Sequence, residues 1–280
     1  MSAGRERKRV DKFTGLRDEP TAKQEPISDE LERASPPIPL DLFVMERAFW
    51  EERWQQRQIG FHEGRPNVLL QRHISRIAEC KRVYVPLCGK SVDLVFLRAC
   101  GHEVIGSELV RTAILELFSD LEETATETVI GPFVKHASLS RDLTILEGDA
   151  LVVGPEHTDG AVDAIYDRAA LVALDPATRA AYVEAILRVL RPEGLVFLIT
   201  FEYPQDKVKG PPWSVSLADV HALYNERFAI ELLEEGPTTG GPKFAAAGVT
   251  DLTERAFLLR KKPLPEDRID PLATAGPQSL

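Results

Sequence analysis

The sequence predicts a doubly wound α/β domain, a mostly parallel sheet with helices on both faces. Three observations lead there. Short apolar runs rich in branched residues recur through the middle of the chain, and stretches with helical spacing alternate with them. These runs are nearly continuous in apolar character, as strands covered on both faces require. Strands joined by crossover helices build a parallel sheet.

Helical spacing marks 41–57 and 66–79 ahead of a first strand at 82–86. A helix at 91–99, a strand at 103–107 and a helix at 110–123 follow. Strands are expected at 143–147 and 162–166, then a helix at 176–190. Asp175 offers an acidic N-cap to that helix, and Pro176 suits its first position. Arg191-Pro192-Glu193-Gly194 supplies a turn into a strand at 195–201. A helix near 217–225 and strands at 228–233 and 255–261 complete the pattern.

The flanks differ. Arg5, Arg7, Lys8, Arg9 and Lys12 make the start basic, and 18–32 is mixed and polar. Ser35-Pro36-Pro37-Ile38-Pro39 fits neither a sheet nor a helix interior. The domain expected over 40–262 is therefore flanked by a flexible extension, 1–39, and a flexible tail, 263–280, the latter holding four prolines. The extension reads as a solubilising tail, with a docking arm as the alternative.

The 280 residues are 44% hydrophobic and 28% charged, enough apolar material for a core. A net charge of −10 argues against general affinity for nucleic acid or anionic lipid. The longest uncharged stretch, 271–280, is about half of what a spanning helix needs. The charged start carries no apolar run, so no secretory leader is expected. Cys80, Cys88 and Cys100 form an odd set without a CxxC pair, which speaks against disulfide scaffolding and structural zinc. A cytoplasmic setting fits. No two histidines have HxxxH spacing, so no metal is expected.

In such sheets ligands bind beyond the carboxyl ends of the strands. The first strand runs into Pro86-Leu87-Cys88-Gly89-Lys90, where a single glycine satisfies neither the GxGxxG nor the GxxxxGK[ST] pattern. The second ends on Glu108, 19 residues after Gly89, close to the spacing at which an acid meets a ribose. Either feature alone has a plain structural reading, a tight connection or a helix-capping acid. Together they favour a nucleoside cofactor, and without phosphate-binding glycines S-adenosyl-L-methionine suits better than NAD. Glu147-Gly148-Asp149-Ala150 offers an adenine contact or a simple turn. Asp167 and Arg168 emerge directly from an apolar run. Asp167 is a candidate proton acceptor, and the planar Arg168 fork suits an anionic acceptor or a carboxylate; a salt-bridged strand end is the alternative. Trp50 and Trp54 share one helical face ahead of Gly60-Phe61-His62, as a lid that shelters a cation or as ordinary packing. Cys88 has no base nearby in sequence and reads as a small apolar loop residue.

Taken together, these residues resemble the thiopurine S-methyltransferase family of class I, S-adenosylmethionine-dependent enzymes with a Rossmann-like fold. The matching pieces are Trp50-x-x-x-Trp54, Gly60-Phe61-His62, Pro86-Leu87-Cys88-Gly89-Lys90, Val104-Ile105-Gly106-Ser107-Glu108, Tyr166-Asp167-Arg168-Ala169-Ala170-Leu171 and Gly210-Pro211-Pro212. They span about 45–262, and Leu252-Thr253-Glu254-Arg255 looks like the bacterial branch. The resemblance implies a cofactor site of Trp50, Trp54, Phe61, Leu87, Gly89, Glu108, Asp149, Ala150 and Arg168. It implies an acceptor site of Phe61, Arg168, Pro211 and Pro212. Trp213 departs from the more usual phenylalanine, and Gly148-Asp149-Ala150 is only a loose match. The expected reaction is methyl transfer to a small-molecule thiol, thione or reduced selenium or tellurium species by a monomer. The alternatives are an O- or N-methyltransferase, for which an indispensable Asp167 would speak, and a non-catalytic nucleoside-binding module.

Overall fold

The computed structural model describes residues 40–263, so the expected extension, 1–39, and the expected tail beyond residue 263 lie outside the described residues. The chain enters through α1 (Leu40–Gln55) and α2 (Val68–His73), then runs β1 (Arg82–Val85), α3 (Val92–Ala99), β2 (Glu103–Glu108) and α4 (Arg111–Asp120). Next come β3 (Ala125–Ile130), β4 (Phe133–Ser138), β5 (Leu143–Glu147), β6 (Val162–Asp167), α5 (Ala170–Ala173), α6 (Arg179–Val189) and β7 (Leu190–Glu202). The last part holds α7 (Leu217–Tyr224), β8 (Phe228–Pro237), α8 (Pro242–Ala246) and β9 (Thr253–Lys261).

One sheet orders the strands β3-β4-β5-β2-β1-β6-β7-β9-β8. The central five, β5 to β7 in that order, are parallel, as the apolar runs predicted. β4 and β9 flank them antiparallel, and β3 and β8 reverse direction once more. Successive strand residues face opposite sides, so β1 feeds two cores. Val83 and Val85 pack with Leu69 of α2, Leu94 of α3 and Leu117 of α4. Tyr84 packs on the other face with Tyr182 of α6 and Val220 of α7. Each such fully buried side chain contributes about 1.5–3 kcal/mol. Among the described residues no helix is long and apolar enough to cross a membrane, and no group of acid, histidine and cysteine side chains could hold a metal.

Three local expectations change. The 66–79 helix begins later, because the Asn67 side chain accepts from the amides of Leu69 (2.9 Å) and Leu70 (3.2 Å), and it tightens to a 3-10 turn at Ile74–Ile77. Asp175 caps Ala177 as expected (3.0 Å), yet the first turn is 3-10 and α6 starts at Arg179. Residues 191–194 are no turn between elements but a bulge within β7: Leu190 pairs with Val162 while Leu195 already pairs with Ala164. The β3–β4 hairpin and α8 are additions to the predicted pattern.

Candidate functional site

The carboxyl ends of β1, β2, β5 and β6 converge on a cavity of about 790 Å³. That size lies within the range of small-molecule sites. Trp50, Trp54, Phe61, Leu87, Glu108, Asp149, Ala150, Arg168, Pro211 and Pro212 all line it. Gly89 lies in an adjoining niche that shares Phe61, Leu87 and Arg168.

The floor is set by main-chain geometry. After β1 the backbone takes positive φ at Leu87 (48°) and Gly89 (52°), a conformation that glycine accepts without steric cost and leucine rarely adopts. The turn docks on β2 through the Cys88 amide, which donates to the Ser107 carbonyl at 2.9 Å. Gly106 makes this docking possible: a Cβ there would fall 2.7 Å from both Cys88 Sγ and Ile145 Cδ1. Burial pushes the Cys88 thiol well up in pKa, so it stays protonated and packs.

Glu108 is held from two sides. Oε2 accepts from the Gly89 amide at 2.9 Å and Oε1 from the Val110 amide at 2.8 Å. Burial raises its pKa, and these amides pull it back down. Asp149 accepts from the Leu151 amide at 2.9 Å, and burial raises its pKa too. Both carboxylates thus face the cavity at places fixed by backbone.

Asp167 does not join them. It has no solvent exposure and turns into the core. Oδ1 accepts from the amides of Ala170 (3.0 Å) and Leu171 (3.2 Å), and Oδ2 accepts from the Tyr182 hydroxyl at 2.6 Å. Burial raises its pKa to about 6. The candidate proton acceptor therefore caps the first amides of α5 and lines neither the cavity nor its niche.

Arg168 reaches the cavity and bridges to the cover. Nη1 donates to the Phe61 carbonyl at 2.9 Å, and Nη2 pairs with Glu63. Its Nε is buried without a hydrogen-bond partner.

The cover comes from α1 and the segment after it. Trp54, 2% exposed, packs against Val110 and Ala113, whereas Trp50 is only half-buried at the rim. The Phe61 ring meets both edge-on, with centroids 5.8 and 5.9 Å away. A second wall is the loop carrying Pro211 and Pro212. The Tyr203 hydroxyl donates to the Pro212 carbonyl at 2.6 Å, and the Trp213 amide donates to the Val172 carbonyl at 2.6 Å. Lys243 Nζ donates to the Pro211 carbonyl at 2.8 Å.

Sequence reasoning missed Glu63, Lys243, Glu254 and Arg53, all of which line the cavity. The turn signal Gly240-Gly241-Pro242 marks where α8 begins, but nothing in it says that this turn folds over strand ends 73 residues and more earlier in the chain.

The family sequence pattern described as thiopurine S-methyltransferase matches residues 45–262. The chain belongs to the thiopurine S-methyltransferase family. Among its relatives is a thiopurine S-methyltransferase of Nitrosospira multiformis, 41% identical over 219 residues that cover 77% of this chain and 98% of the relative. One from Methylococcus capsulatus is 40% identical over 219 residues, with 77% and 98% covered. The fold has counterparts among class I methyltransferases. The 1,6-didemethyltoxoflavin-N1-methyltransferase of Burkholderia thailandensis, solved with S-adenosylhomocysteine, superimposes with a TM-score of 0.56 at 13% identity, covering 82% of this chain and 93% of that one. At that identity the likeness concerns the fold alone. Thiopurine S-methyltransferase relatives and this chain thus share the 45–262 region in which every cavity residue named above lies.

Proposed function

We propose that this protein transfers a methyl group from S-adenosyl-L-methionine to a small-molecule sulfur acceptor, with 40–262 as the catalytic domain and the monomer as the working form. The observation that carries the reading is one cavity with an amide-held carboxylate, Glu108, on its floor and an aromatic rim, Trp50 and Phe61, above it. The residues fit the cofactor. Glu108 has lone pairs beyond those used by Gly89 and Val110 and can accept both ribose hydroxyls. Asp149 and Ala150 border the expected adenine end. Arg168 can hold a carboxylate by exchanging Glu63 for it.

Bound S-adenosylmethionine supplies a methyl group on a cationic sulfur, an electrophile that needs no further activation. The chain contributes placement. Trp50 and Phe61 offer rings to the cation and exclude water, while Pro211 and Pro212 confine the acceptor opposite. Alignment of two reactants in a closed site accounts for several kcal/mol of barrier reduction. Burial of Asp167 favours sulfur over oxygen or nitrogen acceptors, because a thiol ionises to solvent without help from a strong base.

Calorimetric titration with S-adenosylhomocysteine should give saturable binding. A screen with labelled cofactor over thiopurines, thiols, phenols, amines and selenite should label sulfur or selenium. No heat up to millimolar ligand, or label only on phenols and amines, overturns the reading.

A further inference from the structure

Two cations of the cavity lining, Arg53 and Lys243, are paired with no carboxylate among the described residues. Arg53 projects from α1, its guanidinium carbon 4.6 Å from the centre of the Phe49 ring, and its Nε is buried without a hydrogen-bond partner. Lys243, at the start of α8, faces the same space. Its Nζ gives two of its three hydrogens to the carbonyls of Lys209 and Pro211. The two cations are close enough to feel one another: burial first, and then Arg53, lowers the Lys243 pKa. A like-charge pair beside a cavity opposes folding unless something between them compensates.

The acids of the cavity are committed elsewhere. Glu108 and Asp149 accept from main-chain amides at the floor. Glu63 pairs with Arg168, and Glu254 sits under the field of that same arginine. On α1 itself Glu51 pairs with Arg47, and Glu52 accepts from Gln56. Among the described residues Arg53 and Lys243 have no carboxylate partner. Lys243 stands at the acceptor wall, tied to the carbonyl of Pro211, and Arg53 lines the same cavity.

We infer that Arg53 and Lys243 form an anion site and that the preferred acceptor is a sulfur nucleophile carrying a carboxylate. The inference rests on the sulfur-methyltransferase reading above. A carboxylate between a guanidinium and an ammonium makes charge-assisted hydrogen bonds, and a neutral acceptor would leave both cations uncompensated. Discrimination would thus come from the acceptor's far end, with the thiol at the other end free to meet the methyl group.

The test compares 4-mercaptobenzoate with thiophenol in the full chain. The wild type should favour 4-mercaptobenzoate, and in Arg53→Gln the ratio of kcat/KM for the two acceptors should fall at least tenfold. Lys243→Gln should lower the ratio by a smaller factor, and Arg53→Lys should recover part of it. Affinity for S-adenosylhomocysteine, read by calorimetry, should stay within about twofold in each variant. A loss of folding or of general packing lowers both rates together and leaves the ratio unmoved, which overturns the inference. Equal loss of S-adenosylhomocysteine affinity also overturns it, by assigning Arg53 to the cofactor. If the wild type turns over neither thiol, the sulfur reading itself has failed. Benzoate binding to the S-adenosylhomocysteine-saturated protein, or to the protein alone, then decides: saturable binding lost in Arg53→Gln supports the anion site, and no binding overturns it.

Discussion

The floor and the cover of the cavity are built by different means. On the floor, Glu108 and Asp149 each receive at least one hydrogen bond from a main-chain amide at 2.9 Å or less, and Asp167, in the core beneath, is held the same way at 3.0 Å. On the cover, attachment runs through side chains: Phe61 against Trp50 and Trp54, Arg168 to Glu63, Lys243 to the Pro211 carbonyl. Backbone-held groups keep their position with or without a ligand. Side-chain attachments can let go and re-form by rotamer changes, which a site must do to admit its ligands. This contrast predicts a floor that stays fixed and a cover that moves as ligands enter and leave.

The strongest challenge to that division is Trp54, a cover residue buried like a core residue. Trp54→Ala should destabilise the fold by about 3–5 kcal/mol, the usual loss for a large buried aromatic. Trp50→Ala should leave the denaturation midpoint nearly unchanged and weaken S-adenosylhomocysteine binding. Equal midpoints in chemical denaturation would mean that α1 is all lid. A large loss for both would mean that it is all core.

Asp167 sharpens the floor side through pH. Its folded pKa of about 6 lies above the ordinary carboxylate value of 3.8. The folded state therefore binds the proton more tightly than the unfolded one. The stability gained from that proton is full below pH 4 and is lost as pH rises through about 6. The wild type should gain on Asp167→Asn as pH falls from 7 to 4, by on the order of 3 kcal/mol. A difference that is flat across that range would place the carboxyl in contact with water.

Glu108→Gln keeps the shape of the floor and removes its charge. Binding of S-adenosylhomocysteine should weaken by about 1–3 kcal/mol, with little change in melting temperature, because an amide oxygen is the weaker acceptor for ribose hydroxyls. Unchanged affinity would reduce Glu108 to a cap for the Gly89 turn.

The smallest effect is expected at Glu63, whose side chain is 45% exposed. Glu63→Gln should cost less than about 1 kcal/mol of stability, as exposed ion pairs do. It should nevertheless raise amide exchange in residues 56–65, since Arg168 would keep only its bond to the Phe61 carbonyl. Unaltered exchange would show that aromatic packing alone holds the cover.

The parallel centre was legible because its strands are buried on both faces and leave nearly unbroken apolar runs, as Val83-Tyr84-Val85 does. The β3–β4 hairpin was not. Thr126, Glu127, Thr128 and Val129 are all exposed, so no alternation betrays a buried face. At the site, spacing brought out Gly89 and Glu108 because both lie at strand ends, where topology fixes their place. Asp167 shows the limit. Its type and position suggested chemistry, but a side-chain rotation toward Tyr182, on a helix 15 residues later, decided its role. Lys243 and Arg53 lay beyond reach for the related reason that their meeting depends on how α8 folds back.

The place of β9 in the sheet has a consequence for the chain as it is made. It inserts between β7 and β8, pairing with Leu195–Glu202 on one side and Phe228–Pro237 on the other. Until Thr253–Lys261 has left the ribosome, one edge of β7 has no partner and β8 has nothing to join. Nascent chains of up to 252 residues thus expose an apolar strand, Leu195-Val196-Phe197-Leu198-Ile199, whose free edge invites pairing with other chains. Synthesis at about 5–20 residues per second puts roughly 3–10 seconds between the emergence of that strand and the arrival of its cover. Protection of the growing chain over that interval, and a β9 that docks as soon as it emerges, are what this topology demands of the cell.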